Sequence, residues 1–476
     1  MLPSHRLPLI PQIALAAFAI SSQVMASPST DEVSAEVQRE LDALQTEIRA
    51  YARDVDGRSI DEARRREIRS IVADVLADAE ARTSFQDIAV IPGWKKGFRL
   101  ESPDGNFLLK IGGQLQLRFV MNRANGYAEA TPTGSTVTVN GTSQPGGAAY
   151  EWGLENRRVK LQFEGHVVDP TWTYRLKGAF ERVAGGRMLL EEAWIAKSLD
   201  QGIKIKVGQF KPAFMREEMV SSSKQLTVDR SLVNEYFNQG NSQGIEISWK
   251  NEDFKLSGWT GDGLGSRYLG PARTNGQNTA WDQTATSYSF ATRGEWKMAG
   301  AWAQFKDMSS RRGSEAGAML GLAAAVQRAN QNIPANGTVS LGITTDLTVD
   351  VSGASFLVSG IWANVAAGGA GGTNNPWGVT IQGGYFVMED VEAFARYEYM
   401  DYDLQNQINP KTARFSGFTL GSNWFLTPAV KLTADWTYNF DSLAAGGFQS
   451  NGIGLRPDRS GEVGQWALRG QLQLLF

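Results

Sequence analysis

The chain ends in the twelve residues QWALRGQLQLLF, from Gln465 to Phe476. Every second position is apolar or glycine, and the row has an aromatic side chain at each end: Trp466, Leu468, Gly470, Leu472, Leu474 and Phe476. A period of two predicts a β-strand with one apolar and one polar face. Because about ten residues of tilted strand can cross a bilayer, the stretch predicts a strand of a membrane barrel. The alternative is an edge strand of a soluble β-sandwich.

The same alternation recurs through much of the chain. The clearest stretches are residues 107–122, 158–167, 172–181, 203–207, 244–250, 254–260, 288–297, 300–306, 379–388, 391–401, 414–425 and 430–440. Short turns such as 251–253 and 389–390 alternate with long Gly- and Asn-rich stretches at 124–149, 261–286 and 308–350. Tight turns at one end and long loops at the other are typical of an all-β antiparallel transmembrane barrel. The run 316–330 is a candidate helix within the last long loop.

Composition excludes several classes of protein. The 476 residues contain 51 Gly and 14 Trp but no Cys, which excludes disulfides and thiolate metal sites. A mean hydropathy of -0.29 is too polar for a helical membrane bundle, whereas half of each barrel strand faces water. After the first 26 residues, His166 is the only histidine, and no serine-nucleophile motif lies near it. We therefore predict no enzyme activity, no cofactor and no metal site.

The N-terminal residues predict export. His5 and Arg6 precede an apolar run at 13–20, and a small-residue cleavage motif ends at Ala26. We predict that residues 1–26 are a signal peptide.

The segment 27–94 is charged and almost free of glycine. Val37, Leu41, Leu44 and Ile48 follow a heptad spacing, and residues 59–62 resemble a capping box that starts a second helix. We predict a helical coiled-coil extension, either an antiparallel hairpin or a coil between subunits, followed by a barrel domain at 95–476. Acidic residues outnumber basic residues in this segment, so the run at 64–66 does not predict nucleic-acid binding.

If the apolar faces meet lipid, the polar faces line a lumen. The predicted lining carries a ladder of basic residues: Lys110, Arg118, Arg158, Lys160, Arg175, Lys177, Lys204 and Lys206. Rings of Arg and Lys favour anions in a pore. In the alternative interpretation the carboxylates of Glu164, Glu181 and Glu192 neutralise this ladder.

Two stretches resemble a known family. FRLESPDG at 98–105 and VGQFKP at 207–212, followed by REE at 216–218, SSS at 221–223 and DRS at 229–231, are similar to the phosphate-selective porins O and P. This resemblance covers about residue 98 to the C-terminus. It implies an outer-membrane barrel of sixteen strands, usually a homotrimer, with a loop folded inward to narrow the pore.

The residues at 209–241 fit such a constriction loop. Pro212 ends a strand, because proline lacks the ladder donor, and mixed charges with aromatic anchors then suit a loop inside a wet lumen. The candidate constriction residues are Lys211, Arg216, Glu217, Glu218, Lys224 and Arg230. The alternative is an ordinary surface loop.

The C-terminal strand also resembles the signal that outer-membrane barrels present to their assembly machinery. The residues that carry it are Trp466, Leu468, Leu472, Leu474 and Phe476. We therefore expect an outer-membrane protein with residues 27–94 in the periplasm, in contact with lipid, with its own copies and with the assembly machinery. The predicted function is passive diffusion of small anions, with phosphate or polyphosphate as candidate solutes. A general or sugar porin, tethered through its coiled coil, is the alternative.

Overall fold

A computed structural model describes residues 42, 43, 46, 70 and 91–476, except 95–96, 125–135, 140–141, 146–149, 183–185, 267–279, 281, 283–285, 331–336, 367–371, 404–413, 442–452 and 457–463. The predicted signal peptide lies outside the described residues. So does most of the predicted coiled coil, of which Asp42, Ala43, Thr46 and Ser70 are described and helical. The coiled coil therefore stays a prediction.

Sixteen antiparallel strands form a closed barrel. They are β1 (Leu108–Arg123), β2 (Tyr150–His166), β3 (Trp172–Phe180), β4 (Met188–Ser198), β5 (Ile203–Phe210), β6 (Ser242–Lys250), β7 (Phe254–Gly261), β8 (Thr286–Ala299), β9 (Gly317–Ala329), β10 (Val339–Val351), β11 (Ala354–Ala366), β12 (Trp377–Phe386), β13 (Val391–Asp401), β14 (Arg414–Phe425), β15 (Val430–Asn439) and β16 (Trp466–Leu475). Each strand pairs with its neighbours in the chain, and β16 pairs with β1. Among the sixteen barrel strands that the structure describes, closure leaves no open edge, which a strand protein in lipid requires.

The two faces of each strand follow the sequence alternation. On β1, Leu117 is 48% exposed on the outer face, whereas Arg118 is 1% exposed inside. The C-terminal apolar row likewise lies on the outer face, where Leu468, Leu472 and Leu474 are exposed. The expected barrel with apolar rows on its outer face is thus confirmed.

Smaller elements accompany the barrel. Ile91–Trp94 pairs with Phe98–Glu101, which in turn pairs with the start of β1, so the sheet begins before residue 95. Thr136–Val139 pairs with Thr142–Pro145, and Thr373–Asn374 pairs with the end of β11. Within the described part of residues 91–476, the helices are α1 (Arg216–Met219) and α2 (Leu232–Phe237), with 3-10 turns at Asp200–Gly202, Ser222–Lys224 and Gln304–Lys306. None of the described helices is long and apolar enough to cross a membrane.

The expected loop at 308–350 is wrong, because it contains β9 and most of β10. The candidate helix at 316–330 is the strand β9. Its period of two is weak in the sequence because the inward residues Ala323 and Ala325 are not polar. Both belong to an apolar cluster inside the barrel, so this strand is apolar on both faces.

The two ends of the barrel differ. At one end, which we call the short-turn end, the connections are mostly a few residues long, such as 251–253 and 352–353. The segment 300–316, between β8 and β9, is the long exception at that end. The opposite, long-loop end carries 124–149, 262–285 and 440–465.

The C-terminal residue completes the barrel at the short-turn end. The N–H of Gly113 donates to the Phe476 carbonyl at 2.8 Å, and the N–H of Phe476 donates to the Gly113 carbonyl at 3.2 Å. The Phe476 ring occupies the space above the glycine. A Cβ atom on residue 113 would lie 2.2 Å from the ring, so the aromatic ring covers a position that has no side chain of its own.

We predict that Gly113→Val weakens barrel closure, because the new side chain displaces the Phe476 ring. The measurement is the temperature at which the folded barrel loses its faster migration in SDS gels, and we expect a clear decrease. Gly470→Val is the matched control, since a Cβ atom there meets nothing within 4 Å. Equal melting of the two variants would contradict the role of the ring.

Candidate permeation pathway

The loop 211–241, which we call the constriction loop, lies inside the barrel. Its backbone is bonded to side chains of the far wall: Asp435 accepts from the Val228 N–H at 3.0 Å, Lys431 donates to the Gln225 carbonyl at 2.9 Å and Asn423 donates to the Leu226 carbonyl at 2.8 Å. On β16, the neighbour of β15, Gln473 donates to the Ser223 carbonyl at 3.1 Å. The loop therefore crosses the lumen, and the surface-loop alternative does not hold.

Asp229 fixes the middle of this loop to β1 and β2. Its carboxylate makes ion pairs with three guanidiniums: Arg118, Arg157 at 2.9 Å and Arg158 at 2.9 Å. Two consecutive arginines reach it because β2 has one extra residue opposite Gln116 and Leu117 of β1. Such a β-bulge breaks the alternation locally, so Arg157 and Arg158 both face the lumen.

The electrostatics of Asp229 follow from this cluster. Burial raises the pKa of its carboxyl, but the guanidiniums of Arg157, Arg118 and Arg158 outweigh burial and hold the pKa well below its usual range. A lowered pKa means that the ionised carboxylate stabilises the fold above about pH 4, the ordinary value, and that this stabilisation is lost only at lower pH.

The predicted constriction residues mainly hold the loop together. Lys211 and Arg230 both pair with Glu218, Arg216 donates to the Phe305 carbonyl, Glu217 accepts from Ser231 at 2.5 Å, and Lys224 pairs with Asp307 at 2.9 Å. Burial raises the pKa of the Glu218 carboxyl, but Arg230 and Lys211 lower it to about 2. Only the side chains of Lys211 and Lys224 are substantially exposed, at 24% and 45%.

The second half of the loop packs into an apolar core within the lumen. Ser231 caps α2 by accepting from the Asn234 N–H at 3.0 Å. The core combines α2 with residues from the wall and from the long-loop end: Leu232, Val233, Tyr236, Phe237, Phe214, Trp259, Tyr402, Phe415, Ile453 and Leu455. This core fixes the loop against the strands that contribute to it.

Exposure shows which part of the lumen stays open. Inward side chains on β10 to β15 are closed off, as Asp346, Glu398 and Asp435 are at most 2% exposed. On the opposite wall the side chains of Arg175 and Glu164 are 33% and 30% exposed. Water therefore reaches the wall formed by β2 to β6, which is the candidate permeation path.

The basic ladder lies along this wall, and most of it is paired with carboxylates. Lys160 contacts Glu191 at 2.5 Å, Lys177 contacts Glu191 and Glu192 at 3.1 and 3.2 Å, and Lys206 contacts Glu246 at 2.8 Å. Arg175 contacts Glu164 at 2.5 Å and Glu192 at 3.4 Å. Arg118 pairs with Glu155 as well as Asp229. Lys110 is exposed at the start of β1. The middle of the path is therefore close to neutral.

Unpaired lysines lie at the short-turn end of the path. Among the described residues, Lys204, Lys250 and Lys306 make no ion pair. The Lys204 ammonium lies 5.5 Å from the Trp194 ring centroid, and that of Lys250 lies 5.1 Å from the Trp302 ring. Lys306 is near enough to repel both other ammonium groups. These three lysines, which we call the mouth lysines, place three ammonium groups close together at this end of the path.

Sequence reasoning missed Arg157, Glu191 and Trp194. Arg157 and Glu191 face the lumen only because β2 and β4 each carry a bulge, at Arg157 and at Glu191. Trp194 faces inward beside Arg175, whose guanidinium carbon lies 5.7 Å from the ring centroid. The like-charged neighbours at 157–158 and 191–192 are the sequence signal that could have indicated the bulges.

We predict that Asp229→Asn loosens the constriction loop, because three guanidiniums lose their shared carboxylate. Breaking a buried ion pair costs about 3–5 kcal/mol. We expect faster proteolysis of the loop in detergent and larger fluctuations of the single-channel current. Asp169→Asn is the control, since Asp169 lies in an exposed turn beside Lys197. If proteolysis and current noise matched the control, Asp229 would not anchor the loop.

Comparisons with known proteins agree with this geometry. The family model described as phosphate-selective porin O and P matches residues 145–368. No curated protein matches the chain. Among solved structures, the anion-selective porin from Comamonas acidovorans is 13% identical, with 77% of this chain and 99% of that chain covered and a TM-score of 0.50. The outer-membrane expressed OmpT of Vibrio cholerae is 10% identical, with 78% and 98% covered and a TM-score of 0.50.

At these identities the solved structures show a shared fold alone, whereas the family match covers the constriction loop and strands on both sides of it. Residues 145–368, just under half of the chain, are thus similar to the phosphate-selective porin O and P family, and the chain forms a porin channel in the outer membrane.

Proposed function

We propose that this porin carries small anions by passive diffusion along the wall of β2 to β6. The observation that carries the proposal is the group of mouth lysines, Lys204, Lys250 and Lys306, which lack carboxylate partners among the described residues. Ammonium groups that form no ion pair beside a narrow path raise the local concentration of anions. Deeper in the path, the paired residues of the ladder add little to the preference for anions or cations, because each has a carboxylate within 4 Å: Lys160, Arg175, Lys177 and Lys206.

Phosphate specificity has less support. Each basic side chain of the constriction loop is already bonded to a carboxylate or a carbonyl, as Arg216 is to Phe305 and Arg230 is to Glu218. A phosphate would have to compete for these donors. We therefore expect general preference for small anions rather than tight binding of phosphate.

A sugar channel is a weaker alternative. Sugar selectivity needs exposed aromatic rings along the path, and the lumenal rings of Phe386 and Phe394 are at most 4% exposed in the closed part of the lumen. Trp194 lies on the open wall, but lysines and an arginine surround it.

We also propose the orientation and the assembly. Barrels of this class have short turns on the periplasmic side, so the short-turn end faces the periplasm. The strand Phe98–Glu101 lies at that end, which supports a periplasmic place for residues 27–94 and for their predicted coiled coil. A homotrimer, and recognition of the C-terminal strand by the assembly machinery, remain parts of the same proposal.

The zero-current potential of the purified protein in a planar bilayer under a salt gradient tests the function. We expect an anionic sign. Lys204→Gln, Lys250→Gln and Lys306→Gln, combined, should bring the potential most of the way to zero. The control, Lys197→Gln, removes a lysine that pairs with Asp169 in an exposed turn. A cationic potential of the unmodified protein would overturn the proposal.

Phosphate added to the same bilayer separates general from specific anion transport. We expect chloride current to fall only in proportion to the chloride that phosphate replaces, since the loop donors are occupied. Strong block by dilute phosphate would instead show a phosphate site in the path.

A further inference from the structure

The segment 300–316, which we call the inner turn, does not fold back outside the barrel as the other short-turn connections do. It enters the lumen, where Phe305, Met308 and Ser310 are at most 5% exposed. Its second half is tied to the wall at the same end of the barrel: Arg312 donates to the Phe386 carbonyl at 3.0 Å, and the Arg311 carbonyl accepts from the Gly353 N–H at 3.1 Å.

The inner turn supports the constriction loop from the short-turn side. Arg216 of the loop donates to the Phe305 carbonyl, and the Met308 N–H donates to the Lys224 carbonyl at 3.0 Å. The Met308 side chain also joins an apolar cluster of loop and wall residues: Val220, Leu226, Leu357 and Phe394. The two segments thus form one continuous obstruction.

This obstruction covers two carboxylates of the wall. Gln304 donates to Asp350 at 3.4 Å, and Ser309 donates to Glu392 at 2.8 Å. Asp350 and Glu392 are 2% and 0% exposed, and neither makes an ion pair within the part of the chain that the structure describes. The cavity left beside Asp350, between Met308 and Leu226, measures only about 10 Å³, which is too small for a hydrated ion.

We propose that the inner turn is a second constriction element, which closes the β10–β14 side of the lumen and keeps Asp350 and Glu392 out of the permeation path. Carboxylates that line a pore attract cations. With these two groups covered, the accessible charges are those of the β2–β6 wall and the mouth lysines, among which the inner turn itself contributes Lys306. The inference rests on the proposed porin function, but it concerns which wall solutes meet.

Shortening the inner turn tests the proposal. Ala299 and Ala318 face each other across β8 and β9, so Asn-Gly in place of residues 300–317 closes a two-residue hairpin. We expect the single-channel conductance to rise about twofold, as a wider pore allows, and the zero-current potential to move toward the cationic side. Adding Asp350→Asn and Glu392→Gln should reverse much of this shift and leave the conductance high.

These outcomes are separable from the function proposed above. The sign of the zero-current potential of the unmodified channel tests anion preference. The inner turn is tested within the shortened channel, by the change in that potential when Asp350→Asn and Glu392→Gln are added. Unchanged conductance in the shortened, correctly folded channel would overturn the proposal. So would a shift of potential that the two added changes do not reduce.

Thiol labelling tests the same point in the full-length protein. The natural chain has no cysteine, so Glu392→Cys, Lys204→Cys and Glu389→Cys each introduce a single thiol. Glu389, in the exposed turn next to β13, is the control for reagent access at the short-turn end. The reagent is a negatively charged methanethiosulfonate. We expect the thiols at residues 204 and 389 to react at least about tenfold faster than the thiol at residue 392. The reason is that the reagent reaches residue 392 only when the inner turn opens locally. Similar rates at 204 and 392 would overturn the proposal.

Discussion

The contact of one carboxylate, Asp229, with the guanidiniums of Arg118, Arg157 and Arg158 is the interaction on which the pore depends. A loop that crosses a lumen buries backbone and charged groups, and these are costly unless each finds a partner. Asp229 satisfies three cations of the wall at once, and the neighbouring backbone of the loop bonds to β13 and β15. The position of the loop, and therefore of the open path, follows from these bonds.

The strands were predictable because lipid and water impose opposite demands on the two faces. The prediction from alternation fails for a strand whose inward face packs against other protein groups instead of water. β9 packs Ala323 and Ala325 against the apolar core, so its inward positions carry no polar signal, and a run of small residues resembles a loop or a helix. The number of strands came from the family resemblance rather than from the pattern.

The faces of the ladder residues were predictable, but their partners were not. Periodicity assigns Lys160 and Lys177 to a lumen, yet it does not show that Glu191 reaches both of them. That contact depends on a bulge, which shifts the register by one residue and turns two neighbouring glutamates to the same side. Register between strands is a property of the folded barrel. Similarly, the composition of the constriction loop indicated an interior position but not that its charges would bond mainly to one another and to the wall.

The open path lies to one side of the lumen. The inward-facing positions of the barrel strands therefore fall into two groups. On β2 to β6, inward side chains such as Arg175 and Glu164 are open to water, apart from buried ones such as the arginines that hold Asp229, whereas the inward residues of β10 to β15 belong to a folded interior. Substitutions in the first group change which solutes pass, with little loss of packing. Substitutions in the second change how well the protein folds. Evolution can therefore alter the cargo of this channel on a few strands while selection on the remaining ones preserves the fold.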